Sequence, residues 1–161
     1  MTARLLDTSI NKLGSRPKLL VVDDQALNIR LLHELFHETC DVYMAADGLK
    51  AMAKAQDLMP DLILLDVIMP GIDGFEVCRR LKADPKTSLI PIIFITANFD
   101  EKDEVKGFEL GGADFIHKPI NPTITQARVQ TQIALKQQAD QLRNIAMIDG
   151  LTGVANRRTF D

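Results

Sequence analysis

Five short apolar runs punctuate the chain: KLLVV (18–22), DVYMAA (41–46), DLILL (61–65), PIIFIT (91–96) and DFIHK (114–118). Each is bounded by turn-forming residues, which predicts a strand. The third and fourth runs are apolar without alternation, the pattern of strands covered on both faces in a parallel sheet. Between the runs the period lengthens. ALNIRLLHELFHE places Leu27, Leu31 and Leu35, and also Ile29, Leu32 and Phe36, at helical spacing, and GLKAMAKAQDLM and GFEVCRRLKAD read the same way. A βα unit repeated five times, with right-handed crossovers, must carry helices on both faces of its sheet. The expected fold is therefore a doubly wound, flavodoxin-like α/β domain with five parallel strands in the order 2-1-3-4-5.

After Pro122 the pattern changes to TITQARVQTQIALKQQADQLRNIAMI, more than six turns without Gly or Pro. This predicts one extended helix over 123–147, longer than a single domain needs. Ile124, Arg128, Thr131, Leu135, Gln138, Leu142 and Ile145 follow a 4-3-4-3 spacing, a heptad seam on which two chains could pair in parallel, although three of its members are polar. The plainer alternative is a helix whose first half packs on the sheet through Val129 and Ile133 and whose second half is a spacer. Residues 1–16 read as a flexible leading segment and 17–122 as the core.

With 161 residues, 46% of them hydrophobic, the chain can fill one core without disulfide or metal staples. A net charge of -3, with no basic block longer than a pair, argues against a nucleic-acid or membrane-surface partner. There is no run of 18 apolar residues, and MTARLLDTSINKLGSRP lacks the apolar stretch of a signal peptide, so a cytoplasmic location is expected. Cys40 and Cys78 stand in ordinary segments and read as reduced, structural residues. His33 and His37, four apart on a predicted helix, read as a solvated face rather than a metal site.

The candidate chemistry sits at the strand ends. Asp23 and Asp24 directly follow the first run and Asp66 the third. In a doubly wound sheet whose order reverses beside strand 1, strands 1 and 3 are neighbours and ligands collect at their carboxyl ends. Like charges 4 Å apart repel by roughly 4 kcal/mol at an intermediate dielectric, so either one carboxyl is protonated or a cation lies among them. A hard ion such as Mg²⁺, with Mn²⁺ as a substitute, suits a small carboxylate cluster that leaves room for water and phosphate oxygens. The plain reading of DD, a helix N-cap, competes with this. The fourth run ends on Thr96 and the fifth on Lys118, adding a hydroxyl and an ammonium to the same edge. Three carboxylates, an alcohol and a lysine can hold a metal and a phosphoryl group together, with one carboxylate as nucleophile. Asp66 stands at the centre of that edge.

LLVVDD, DLILLDVIMPGIDGFEVCRRLK, PIIFITA and GADFIHKPI together resemble the receiver domain of two-component response regulators, over about residues 17–140. The resemblance implies that Asp66 accepts a phosphoryl group from a sensor histidine kinase or phosphotransfer protein. It also implies that Asp24, Asp66 and the Ile68 carbonyl ligate Mg²⁺, with Asp23 acting through water. Thr96 and Lys118, with Ala97 beside them, match the phosphate-binding positions, and Phe115 matches the aromatic position that swings inward with the threonine. A cis Lys118–Pro119 peptide is implied in the same way. Phe115 stands where many members carry Tyr and, lacking a phenolic oxygen, it can respond by packing alone. By the same resemblance Ile68 and Asn98, each two residues past a site residue, occupy positions that line the path of a hydrolytic water, and Ile68 offers that water no hydrogen bond. A long-lived aspartyl phosphate is expected.

The final stretch, DGLTGVANRRTFD, resembles the opening of the GGDEF domain of diguanylate cyclases, which places the start of a truncated output domain at 148–161. The cyclase's catalytic residues lie downstream in that family, so this chain is not expected to be an enzyme, whereas a longer parent would make cyclic di-GMP from GTP. Phosphorylation would then control homodimerisation through the face of the fourth strand, fourth helix and fifth strand, with the extended helix transmitting orientation. A receiver serving as an adaptor or phosphate sink is the alternative. An enzyme of the haloacid dehalogenase kind would want an acid where Ile68 stands, and an FMN binder would want a Ser/Thr/Gly-rich loop where DDQALN stands.

Overall fold

The structure, a computed structural model, describes residues 16–98 and 100–151, the side chains of 147–151 excepted. The leading segment, Arg16 apart, and the GGDEF-like stretch from Thr152 onward lie outside the described residues. The strands are β1 Lys18–Val22, β2 Asp41–Ala45, β3 Leu62–Asp66, β4 Ile92–Thr96 and β5 Asp114–His117. The helices are α1 Ala26–Phe36, α2 Gly48–Leu58, α3 Gly74–Ala83, α4 Glu101–Glu109 and α5 Pro122–Leu151. All strand pairs are parallel and the order is β2-β1-β3-β4-β5, the doubly wound arrangement that the βα pattern predicts.

β3 and β4 are buried along their whole length, as unbroken apolar runs require. Alternate residues feed two cores. On one face Leu19, Val21, Leu62, Leu64, Ile93, Ile95 and Ile116 pack with Leu32 and Phe36 of α1 and Val129 and Ile133 of α5. On the other, Leu20, Val22, Ile63, Leu65, Ile92, Phe94 and Phe115 pack with residues of α2 and α3. Three aspartates start helices by accepting a backbone N–H in the first turn: Asp47 for α2, Asp73 for α3 and Asp100 for α4.

The two apolar stripes of α1 part company. At 100° per residue, Leu27 lies on the opposite side of the helix from Leu32 and Phe36, and only the latter pair is buried; Leu27 is 75% exposed. In α5, Val129 and Ile133 are buried, while all seven positions of the heptad spacing are exposed, Leu135 and Leu142 at 53% and 68%. The helix continues four residues past the expected end at 147, through Gly150 to Leu151. A single glycine inside a helix costs only about 1 kcal/mol, which is too little to stop it by itself.

The anchoring of α5 through its first half has a measurable signature. Ile133→Ala is expected to lower stability by about 2–4 kcal/mol, and Leu142→Ala in the monomer to change it by less than about 0.5 kcal/mol. Urea unfolding of the two variants checks the difference.

Candidate functional site

The parallel register brings the strand ends to one edge. Val22 pairs with Leu65, Asp66 with Ile95 and Thr96 with His117. The loop residue Asp23 therefore follows β1 beside the end of β3, where Asp66 is the last strand residue rather than the first after it. Asp23, Asp66 and Thr96 are buried and Asp24 is exposed at the mouth. Each of Asp23, Asp24 and Asp66 offers a carboxylate oxygen, and these atoms lie within 4.8 Å of one another. Lys118 directly follows β5 and is joined to Pro119 by a cis peptide. Its Nζ lies 3.2 Å from Asp66 Oδ2 and 3.4 Å from Asp23 Oδ2.

Hydrogen bonding separates the three acids. Asp66 Oδ2 accepts from Lys118 Nζ, and its Oδ1 accepts the Ile68 N–H at 3.3 Å. Asp23 Oδ1 accepts the Gln25 N–H at 2.9 Å, but its buried Oδ2 accepts no hydrogen bond. The N-cap of α1 is Gln25, with no side-chain cap bond, so neither aspartate of the DD pair caps the helix. Burial, and then the neighbouring Asp23 charge, push the Asp66 carboxyl up to about 6 against the pull of Lys118. A buried anionic oxygen without a donor, beside a second carboxylate held above its ordinary range, fits an oxygen-seeking cation, and Asp24 completes the donor set from the open side.

The remaining sequence candidates distribute around this edge. Ile68 is 66% exposed and Ala97 is exposed. Asn98 donates its backbone N–H to Thr96 Oγ1 at 3.0 Å, while its side-chain Nδ2 bonds Asp103 of α4 at 2.8 Å. Its amide is thus engaged with α4. Phe115 is buried, its ring 5.2 Å from that of Phe94 and 5.3 Å from that of Phe108. In this conformation the Phe115 side chain is packed inside. His33 and His37 stack on α1 with ring centroids 5.3 Å apart, and no third candidate ligand joins them among the described residues. Cys40 and Cys78 are free and buried, and burial pushes the Cys78 thiol up to about 11.

One positioning residue escaped the sequence reading. A Cβ on Gly74 would lie 2.3 Å from the Asp66 carbonyl oxygen, and the Gly74 N–H donates to Val67 O at 2.8 Å. Only glycine lets the start of α3 close over the end of β3 so tightly. The signal was present in PGIDGF, where the Asp73 cap is followed at once by glycine.

Residues 19–130 match the family model described as the response regulator receiver domain. The chain belongs to that family. Among its relatives, the response regulator PleD of Caulobacter vibrioides is 47% identical over 127 residues, which make up 78% of this chain and 28% of PleD. A probable cyclic di-GMP phosphodiesterase of Vibrio cholerae is 35% identical over 130 residues, 81% of this chain and 30% of that protein. The chain thus spans under a third of either relative. Of solved structures, the chemotaxis protein CheY4 of Vibrio cholerae superposes with a TM-score of 0.70 at 29% identity, covering 73% of this chain and 98% of that one. The acid cluster of this receiver stands at the carboxyl edge of the sheet, and no helix among its described residues is long and apolar enough to cross a membrane.

Because the folded Asp66 carboxyl lies above its ordinary 3.8, ionising it weakens the fold. The penalty is absent below about pH 4, grows toward pH 6 and is complete above it. Asp66→Asn is accordingly expected to stabilise the protein, without divalent ions, by about 1–3 kcal/mol at pH 8 and by almost nothing at pH 4. Urea titrations at the two pH values test this, and a loss of stability at pH 8 would mean that the Lys118 pair outweighs the repulsion.

Proposed function

We propose that this receiver is phosphorylated on Asp66 with Mg²⁺ bound at the acid cluster, and that the modification controls self-association and a C-terminal output domain. The observation that carries the reading is the pairing of a buried Asp66 carboxylate with Lys118 at 3.2 Å and with Asp23 and Asp24 within 4.8 Å. Asp24, Asp66 and the Ile68 carbonyl would hold Mg²⁺, or Mn²⁺ in its place, with Asp23 contributing through water. When bound, the ion neutralises the acids and draws in the oxygens of the incoming phosphoryl group.

The chain's own residues do the rest. An Asp66 carboxylate oxygen attacks the phosphorus of a phosphohistidine on a sensor kinase or phosphotransfer protein; the P–O bond forms as the P–N bond breaks, and the departing imidazole nitrogen keeps the bonding pair and is protonated from solvent. Lys118 offsets the added oxyanion charge, Thr96 Oγ1 donates its proton to a phosphoryl oxygen, and the Ala97 N–H is a further donor at the mouth. The modification adds about -1.5 to -2 charge at pH 7.

Support for a cyclic di-GMP output comes from the GGDEF-like stretch at 148–161 and from a relative named for cyclic di-GMP chemistry, although that relative is named as a phosphodiesterase and not a cyclase. The exposed heptad positions of α5 would let two chains pair in parallel and set the relative orientation of two output domains. A tenfold change in dimer affinity needs only about 1.4 kcal/mol. An adaptor or phosphate sink without enzymatic output is the second reading, and it is favoured by the match to CheY4, of which 98% is covered by a receiver alone.

Incubation with Mg²⁺ and acetyl phosphate is expected to add one phosphoryl group to the Asp66 peptide, as read by mass mapping, and to shift sedimentation toward dimer. Equal labelling of Asp66→Asn would defeat the phosphoacceptor reading, and unchanged sedimentation on labelling would defeat the association switch. Ile68→Asn supplies a hydrogen bond to an attacking water and is expected to shorten the phosphate lifetime by about tenfold, the equivalent of one ordinary hydrogen bond. Decay of the labelled protein after removal of the donor measures it.

A further inference from the structure

His33 and His37 stand at the far end of α1 from the acid cluster. The segment reads HELFH, in which two histidines four apart meet on one side of a helix. The backbone fixes that spacing. The His37 N–H donates to the His33 carbonyl at 2.9 Å, so one helical hydrogen bond ties the two residues together. An Arg16 guanidinium nitrogen donates to the His37 carbonyl and, at 2.8 Å, to that of Cys40, which fastens the end of the turn. On the inner side Leu32 and Phe36 are buried and set the rotation of the helix, leaving His37 exposed and His33 half-buried.

The two rings lie 6° from parallel with centroids 5.3 Å apart. Among the described residues no hydrogen bond or ion pair engages either ring, and no third side chain joins them as a ligand. An imidazole nitrogen sits about 2.0–2.1 Å from a zinc ion, so two on one ion are about 3 Å apart. Side-chain rotation alone brings the rings to that separation, because the backbone spacing is already set.

We propose that His33 and His37 form a binding site for a divalent transition ion, Cu²⁺, Ni²⁺ or Zn²⁺, with water in the remaining positions. Imidazole nitrogen suits these ions and Mg²⁺ takes oxygen, so the histidine pair and the acid cluster select different metals. The first-row order puts Cu²⁺ ahead of the other two. The last turn of α1 adds to the attraction, since the carbonyl end of a helix is the negative pole of its dipole. With two protein ligands among the described residues, where hydrolytic zinc centres have three, the site is one of binding and not of catalysis. The eleven residues of α1 span roughly 16 Å, so an ion at one end leaves the other end free, and the inference stands apart from the phosphoacceptor reading of Asp66.

The test is titration of the whole chain, without an affinity tag, with Cu²⁺ at neutral pH, in competition with a chromophoric chelator and with Mg²⁺ in large excess to fill the acid cluster. Electron paramagnetic resonance on the same samples counts the nitrogens on the copper. One tight ion per chain is expected, with hyperfine structure from two nitrogens. His33→Gln and His37→Gln are each expected to weaken binding by at least about tenfold, the lower end of what losing even a supporting group costs a metal site. Circular dichroism should not change, because both side chains lie on the outer face of α1. The pair His33→Gln with Arg30→His keeps the number of histidines and the helix face but sets the rings two turns, about 10 Å, apart, and should bind no better than His33→Gln alone. His117→Gln should leave the affinity as it is. A parent signal from a single nitrogen overturns the site, as does undiminished affinity when both His33 and His37 are replaced by Gln or when the pair is displaced to position 30.

Discussion

Two carboxylates and one ammonium, placed where the sheet edge denies them much water, set the terms for the rest of this molecule. Asp23 and Asp66 are buried beside each other, and Lys118 lies 3.2 Å from one and 3.4 Å from the other. A single ammonium cannot satisfy both: Asp66 is pushed up to about 6 and Asp23 Oδ2 is left without a donor. That residual frustration is tolerable because the two strands beneath the acids are anchored in apolar cores on both faces. A looser sheet would let the acids splay apart into water and lower their mutual repulsion.

Several features of the chain serve to keep that edge closed. Gly74 lets α3 lie directly on the Asp66 carbonyl, Asp73 caps the same helix, and Phe75, next in sequence, packs against Phe94 at 5.2 Å. From Phe94 the aromatic contacts continue through Phe115 to Phe108 on α4. The rings give the interior between the acid edge and α4 a close-packed aromatic filling.

The receiver assignment covers most of the chain, and what it acts upon has to be argued from other residues. The relatives share the α/β domain and differ in name, and this chain corresponds to less than a third of PleD and of the cyclic di-GMP phosphodiesterase. The long α5 is the physical bridge between these two questions. Its first turns belong to the sheet through Val129 and Ile133, and beyond them Leu135, Leu142 and Ile145 are exposed. A helix anchored at one end and apolar along its free side can transmit rotation only if something grips that side, which is why self-association and output are joined in a single proposal.

Much of this was legible in the one-dimensional pattern, for reasons that are local. Unbroken apolar runs in β3 and β4, alternating with helical spacing, suffice for a doubly wound sheet, because burial on both faces leaves no polar position to place. Asp23, Asp24, Asp66, Thr96 and Lys118 could be named because each lies at a strand end, and a parallel sheet brings all such ends to one edge. Packing decided what spacing could not. Leu27 and Leu32 look equivalent along the chain, and only the angle at which α1 meets the sheet leaves one in water and the other in the core. The engagement of Asn98 with α4 and the closeness of Gly74 to Asp66 depend on how the chain turns between consecutive elements. Periodicity carries no information on such contacts, because side-chain direction and interatomic distance exist only once the elements have been docked.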